Sequence, residues 1–134
     1  MTRYILDACA LIAALTDEPG AEAIKPLFLR DDVEIVMNKL NLLEVYYDIY
    51  RRSGSTVADE VLDEIGRSPI QIISEMTNAV FKEAGRLKAT YRISLADAVA
   101  LAEASVTNGS LVTSDHHEFD PVQAVENISF FWIR

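Results

Sequence analysis

The sequence predicts an α/β protein: a central parallel β-sheet flanked by α-helices. Three observations predict it. Short apolar runs alternate with longer segments of helical character along the chain. The runs "YIL", "IQII" and "SLV" are continuously apolar, as strands covered on both faces require. The length, 134 residues, suits one domain with a core of its own, so a single domain over 1–134 is expected.

Each element has a local reason. "RYIL" (3–6) is a short buried strand, and the apolar segment from Asp7 reads as a helix stopping near Pro19-Gly20. A second helix is expected from Ala21 to Leu29, then a strand "VEIVM" (33–37). "NKLNLLEVYYDIYRRSG" is a helix ended by Gly54, and "STVADEVLDEIGRSP" is another, opened by a Ser/Thr cap and closed by Gly66 and Pro69. "IQIIS" (70–74) is a strand. "TNAVFKEAGRLKATY" and "SLADAVALAEASVTNG" are helices. "SLVTSD" holds a short strand and "ISFFWIR" the last one, while "HHEFDP" between them reads as loop and turn.

Charge and composition narrow the function. Twelve Lys and Arg against 21 Asp and Glu give a net charge of −9, which taken alone opposes binding to nucleic acid. The objection weakens if some acids are metal ligands, or if positive charge is local, as around Arg86, Lys88 and Arg92. One cysteine, Cys9, excludes an internal disulfide and suits a reducing compartment. No signal segment or membrane-length apolar run is visible, so the expectation is a cytoplasmic protein without a membrane partner.

Four acids stand out, each with an ordinary structural explanation beside the functional one. Asp7 interrupts an apolar stretch and suits a helix N-cap. Glu44 shares a helical arc with Asn41, Asp48, Arg51 and Arg52, and a solvated polar face is the default for such an arc. Asp97 completes S-x-x-D with Ser94, a variant capping box, on a helix apolar enough to be buried. Asp115 follows a strand where turn residues are favoured, and the adjacent His116 and His117 read as loop surface rather than metal ligands. Their joint placement is more informative. In a parallel sheet the helices begin at the edge where the strands end, so all four carboxylates can meet on one side. Unpaired, they would repel. Hard divalent cations that take oxygen ligands, Mg²⁺ or Mn²⁺, would offset that repulsion.

The stretches "ILDACALIA", "NLLEVYYD", "SLADAVALAEA" and "LVTSDHHEFD", in this order, resemble the PIN-domain ribonucleases, and most closely the VapC-like toxins of toxin–antitoxin pairs. The resemblance implies a PIN-like fold and an Mg²⁺- or Mn²⁺-dependent endoribonuclease that hydrolyses RNA phosphodiester bonds with metal-activated water. It assigns Asp7, Glu44, Asp97 and Asp115 to catalysis, with Asp7, Asp97 and Asp115 as metal ligands and Glu44 as a further ligand or water-orienting group. It makes Asn41 and Thr113 supporting residues. It also implies a homodimer and a cognate antitoxin that blocks the acidic groove. Arg86, Lys88 and Arg92, with Lys82, are the candidate RNA contacts, and Tyr46, Tyr47, Tyr50 and Phe28 either line a partner groove or belong to the core and its rim. One departure is Cys9, where many members carry Ser or Asn; a thiol is the poorer hydrogen-bond partner for Asp7.

Two rivals come from other classes. A phosphoacceptor receiver module needs paired acids after the first strand and a late Lys; no acid adjoins Asp7 and no Lys follows Lys88. A non-catalytic RNA- or protein-binding module on the same fold would not need all four acids. No Gly-rich phosphate loop is present.

Overall fold

The computed structural model describes all residues, Met1–Arg134. Five strands form one sheet: β1 (Thr2–Leu6), β2 (Val33–Asn38), β3 (Gln71–Ile73), β4 (Ser110–Thr113) and β5 (Ser129–Trp132). All pairings are parallel, in the order β3-β2-β1-β4-β5. The helices are α1 (Ala8–Leu15), α2 (Ala21–Ile24), α3 (Lys39–Gly66), α4 (Asn78–Thr90), α5 (Leu95–Thr107) and α6 (His116–Gln123). None is long and apolar enough to cross a membrane.

Period-two alternation along the strands sorts the core into two layers. Tyr4, Leu6, Ile35, Met37 and Val112 pack against α1, α2 and α3. Ile5, Val36 and Leu111 face the opposite way, against α4, α5 and α6. This is why the strands read as unbroken apolar runs. The α5 helix supplies most of the second layer, with buried residues from Ala96 to Ala104. It ends at Asn108 in the left-handed region, and Gly109 then lets the chain enter β4 tight against β1. A Cβ there would stand 2.2 Å from the Ile5 side chain and 3.0 Å from the Arg3 carbonyl oxygen.

The differences from expectation have local causes. The first helix stops at Leu15, with Asp17 in the left-handed region, well before Pro19. The segment Ala21–Leu29 is helical but not uniform: Pro26 lacks an N–H, and α2 tightens into a 3₁₀ turn over Lys25–Leu29. Gly54 breaks the 39–66 segment as foreseen, as a kink with φ 86° and ψ 174° rather than a gap. The expected loop after Asp115 is instead α6. Asp115 caps it through the Glu118 N–H at 3.1 Å, and Phe119 and Val122 anchor it in the core despite Pro121. His116 is therefore a helix residue. Its ring stacks on Trp132 at 3.8 Å and bonds Asp120 and the Arg134 carbonyl, both at 2.8 Å.

Candidate active site

Strand order reverses between β1 and β4: the chain travels to one side of β1 through β2 and β3, and to the other through β4 and β5. In open α/β sheets the crevice beyond the carboxyl ends at such a reversal is the usual ligand site. Asp7 ends β1 and Asp115 lies just past β4, one on each side of that crevice. The helix starts of α1, α3, α5 and α6 open at the same edge and add their partial positive charge.

A pocket of about 290 Å³ lies there, lined by Asp7, Ala8, Cys9, Ile12, Glu44, Tyr47, Asp48, Ser94, Asp97 and Asp115. All four acids singled out from the sequence line it. Asn41 and Thr113 do not; both are buried behind it. The lining contains no Lys, Arg or His. Asp48 is neutralised by Arg51 at 2.9 Å and by Arg52. None of the other four carboxyls has an ion pair.

Asp7 is the most constrained, only 2 % exposed. It caps α1, accepting the Ala10 N–H at 2.8 Å. The Cys9 thiol lies 3.1 and 3.3 Å from its two oxygens, and 3.5 and 3.4 Å from the hydroxyls of Thr113 and Ser114. Cys9 thus ties the start of α1 to the end of β4. Burial pushes the Asp7 carboxyl from 3.8 up to about 6, against the lowering effect of Thr113, Ala10 and Cys9. Asp97 is pushed to about 7, first by burial and then by the charges of Asp7 and Glu44. Its N–H is capped by Ser94 Oγ at 3.1 Å. Glu44, half-buried, is raised by burial alone. Asp115 is held by its cap on α6, and its own N–H donates to Thr113 Oγ1 at 3.0 Å. Behind Glu44, Asn38 caps α3 through the Asn41 N–H at 2.8 Å and donates to the Asn41 side chain. The Asn41 amide nitrogen is buried without a partner.

The solvated-face reading of the Glu44 arc does not describe this helix. Glu44 and Asp48 face the pocket, while Leu43, Tyr47 and Tyr50 on the apolar arc are 55, 53 and 50 % exposed. The basic helix α4 also differs from expectation. Arg86 is matched by Glu83 at 2.7 Å and Glu126 at 2.6 Å, which removes it as a free phosphate contact. Lys88 and Arg92 are exposed and unpaired. Arg92 lines a second cleft of about 410 Å³ with Tyr91, His117 and Glu118.

Chemically, this is a pocket of hard oxygen donors at a switch point, with strained proton affinities and no internal cation. That donor set fits a divalent ion such as Mg²⁺ or Mn²⁺. As they stand, no three acidic, cysteine or histidine side chains are arranged to hold one ion; the donors ring the pocket without closing on a point. Sequence reasoning passed over Asp48, Ser94 and Tyr47 as pocket residues, although Asp48 lies one turn from Glu44 on the same arc.

The family model for the PIN domain matches residues 4–124. The chain belongs to the PIN domain family. Solved structures share the fold of this PIN domain along nearly its whole length. A toxin–antitoxin complex from Klebsiella pneumoniae superposes with a TM-score of 0.70 at 15 % identity over 98 % of both chains. VapBC-1 from nontypeable Haemophilus influenzae gives 0.76 at 14 % identity, also over 98 % of both. VapBC2 from Rickettsia felis, bound to a promoter DNA fragment, gives 0.77 at 19 % identity over 97 % of this chain and 98 % of that one. At these identities the likeness is one of fold. No curated protein matches the sequence.

Proposed function

We propose that this PIN domain is a divalent-metal-dependent endoribonuclease and the toxin of a type II toxin–antitoxin pair. The observation that carries the reading is the meeting of Asp7, Glu44, Asp97 and Asp115 around one cation-free pocket at the sheet's switch point. Asp7, Asp97 and Asp115 would hold Mg²⁺ or Mn²⁺, with Glu44 as a further ligand or as the acceptor that orients water. Once bound, the ion supplies charge neutralisation at the phosphate and a more acidic water.

The chain's own groups do the remainder. Asp7 is fixed by Ala10 and Cys9, so its position does not depend on substrate. Burial and the charges of Asp7 and Glu44 raise the proton affinity of Asp97 to about 7 without metal, so its carboxylate gains most from a neighbouring cation. Tyr47 and Ile12 provide an apolar rim to the pocket. Lys88 and Arg92 supply local positive charge that the net charge of −9 conceals. Support for the toxin assignment comes from the neighbours, whose structures are described as VapBC or toxin–antitoxin complexes. The exposed stripe of Leu43, Tyr47 and Tyr50 and the apolar groove between Leu11, Leu15, Phe28 and Ile70 suit protein partners, an antitoxin and a second copy of the chain.

The test is cleavage of total RNA by purified protein with Mg²⁺, with Mn²⁺ and with chelator. Wild type should cleave only with metal, and Asp97→Asn should be inactive yet folded. Cleavage unaffected by chelator, or wild-type turnover by Asp97→Asn, would overturn the assignment. Metal-dependent RNA binding without turnover would leave the non-catalytic module.

A further inference from the structure

On the α4–α5 side of the sheet, a cavity of about 260 Å³ that shares no lining residue with the acidic pocket opens between the ends of β2 and β3 and the middle of α5. Leu40, Ile73, Met76 and Val99 give it apolar walls, with Asn38, Ser74, Glu75 and Lys39 contributing polar groups. Glu103 of α5 lines it. This residue is only 5 % exposed, on a helix otherwise buried through alanine, valine and leucine. Its carboxyl has no hydrogen-bond or ion-pair partner; the only opposite charge it feels is Arg3, which is itself paired with Glu34 at 3.2 Å. Burial of the residue raises its proton affinity, while its carboxyl oxygens keep contact with solvent. Lys39, the one cation near the mouth, is exposed and in no ion pair.

We propose that this cavity binds an organic cation, an alkylammonium or alkylguanidinium group whose charge meets Glu103 and whose methylene stem lies against Leu40, Ile73, Met76 and Val99. A bare metal ion fits less well. Only two carboxyls, Glu103 and Glu75, border the cavity, and no set of three metal-ligating side chains exists there. The walls suit a carbon stem rather than a hydration shell. Glu75, exposed at the entrance, would receive the second charge of a diamine. The proposal is independent of the nuclease reading, because none of these residues lines the acidic pocket.

The test is titration calorimetry with three probes: putrescine and agmatine as free small cations, and a blocked Gly-Arg-Gly peptide as an arginine side chain within a chain. At least one should bind saturably with one site per chain. Glu103→Gln should weaken that binding tenfold or more, and Ser74→Trp, an exposed position at the mouth, should block it without touching the core. Asp97→Asn should leave it unchanged, which separates this cavity from non-specific attraction to the acidic pocket. Tighter binding of the free amines identifies a small-molecule ligand; tighter binding of the peptide identifies a partner's basic side chain. Failure of all three probes to bind, binding equal in Glu103→Gln and wild type, or loss of binding only in Asp97→Asn would overturn the proposal.

Discussion

Replacing Asp7 with Asn should make the metal-free protein more stable at pH 8. The reasoning starts from a carboxyl that is 2 % exposed and whose proton affinity rises from 3.8 to about 6 on folding, chiefly through burial. The folded state therefore holds this proton more tightly than the unfolded state. As pH rises from about 4 to about 6, the unfolded chain ionises first and stability falls; above about 6 the loss is complete and constant. The difference between 3.8 and about 6 corresponds to about 3 kcal/mol. Asn keeps the shape, and its amide oxygen can still accept the Ala10 N–H that caps α1. It also removes the second-largest cause of Asp97's raised affinity. Urea melts in chelator from pH 4 to pH 8 should show Asp7→Asn ahead of wild type by up to about 3 kcal/mol at pH 8, narrowing toward zero near pH 4, at unchanged m-value. Added Mg²⁺ should stabilise wild type more than the variant. An Asp7→Asn protein no more stable than wild type at pH 8, or a pH-independent difference, would refute the claim that Asp7 is a buried charge awaiting compensation.

Four further outcomes are expected. Cys9→Ser should preserve cleavage, because a hydroxyl can replace the thiol as donor to Asp7, whereas Cys9→Ala should slow initial rates by up to about fivefold with unchanged circular dichroism. Arg86→Ala should lower stability by about 1 kcal/mol, leaving Glu83 and Glu126 unpaired, without changing RNA affinity. Arg92→Ala should weaken RNA binding and reduce the slope of log affinity against log salt by about one, read by titration at several salt concentrations. Gly109→Ala should cost about 1–3 kcal/mol in a denaturant melt, since its Cβ meets Ile5 and the Arg3 backbone.

The alternation of strands and helices was legible because local patterns encode it: strand runs buried on both sides, a break at Gly54, a Ser94 cap three residues before Asp97. α6 was missed because Asp120-Pro121 reads as a turn. The opposing signal, an Asp115 cap followed by Phe119 and Val122 three residues apart, is short enough that only core contacts decide it. The wheel for α3 sorted polar from apolar residues, but the face that packs on the protein cuts across both arcs, burying Asn41 with Val45 and Ile49. That is set by where β2 delivers the helix over the sheet, and the result leaves Leu43, Tyr47 and Tyr50 outside and Glu44 at the pocket. Arg86 could be paired with Glu83 from sequence, being one turn away. Glu126 lies 40 residues further on and is brought in only by the fold.

The structural and chemical explanations of the acids turn out not to compete. Asp7 and Asp115 cap α1 and α6, and Asp97 closes the cap that Ser94 opens on α5. In an all-parallel sheet every helix that follows a strand begins at the carboxyl edge, so residues placed as caps gather there without further instruction. Two of those starts flank the reversal between β1 and β4, which narrows the gathering to one crevice. A capping acid on a solvated helix is stabilised by its amides alone. Asp7 has such an amide and is still pushed up to about 6, so capping does not balance its burial. The excess, shared with Asp97 and Glu44, is the part that helix capping leaves unexplained, and a divalent cation is the simplest single species that would remove it from all of them at once.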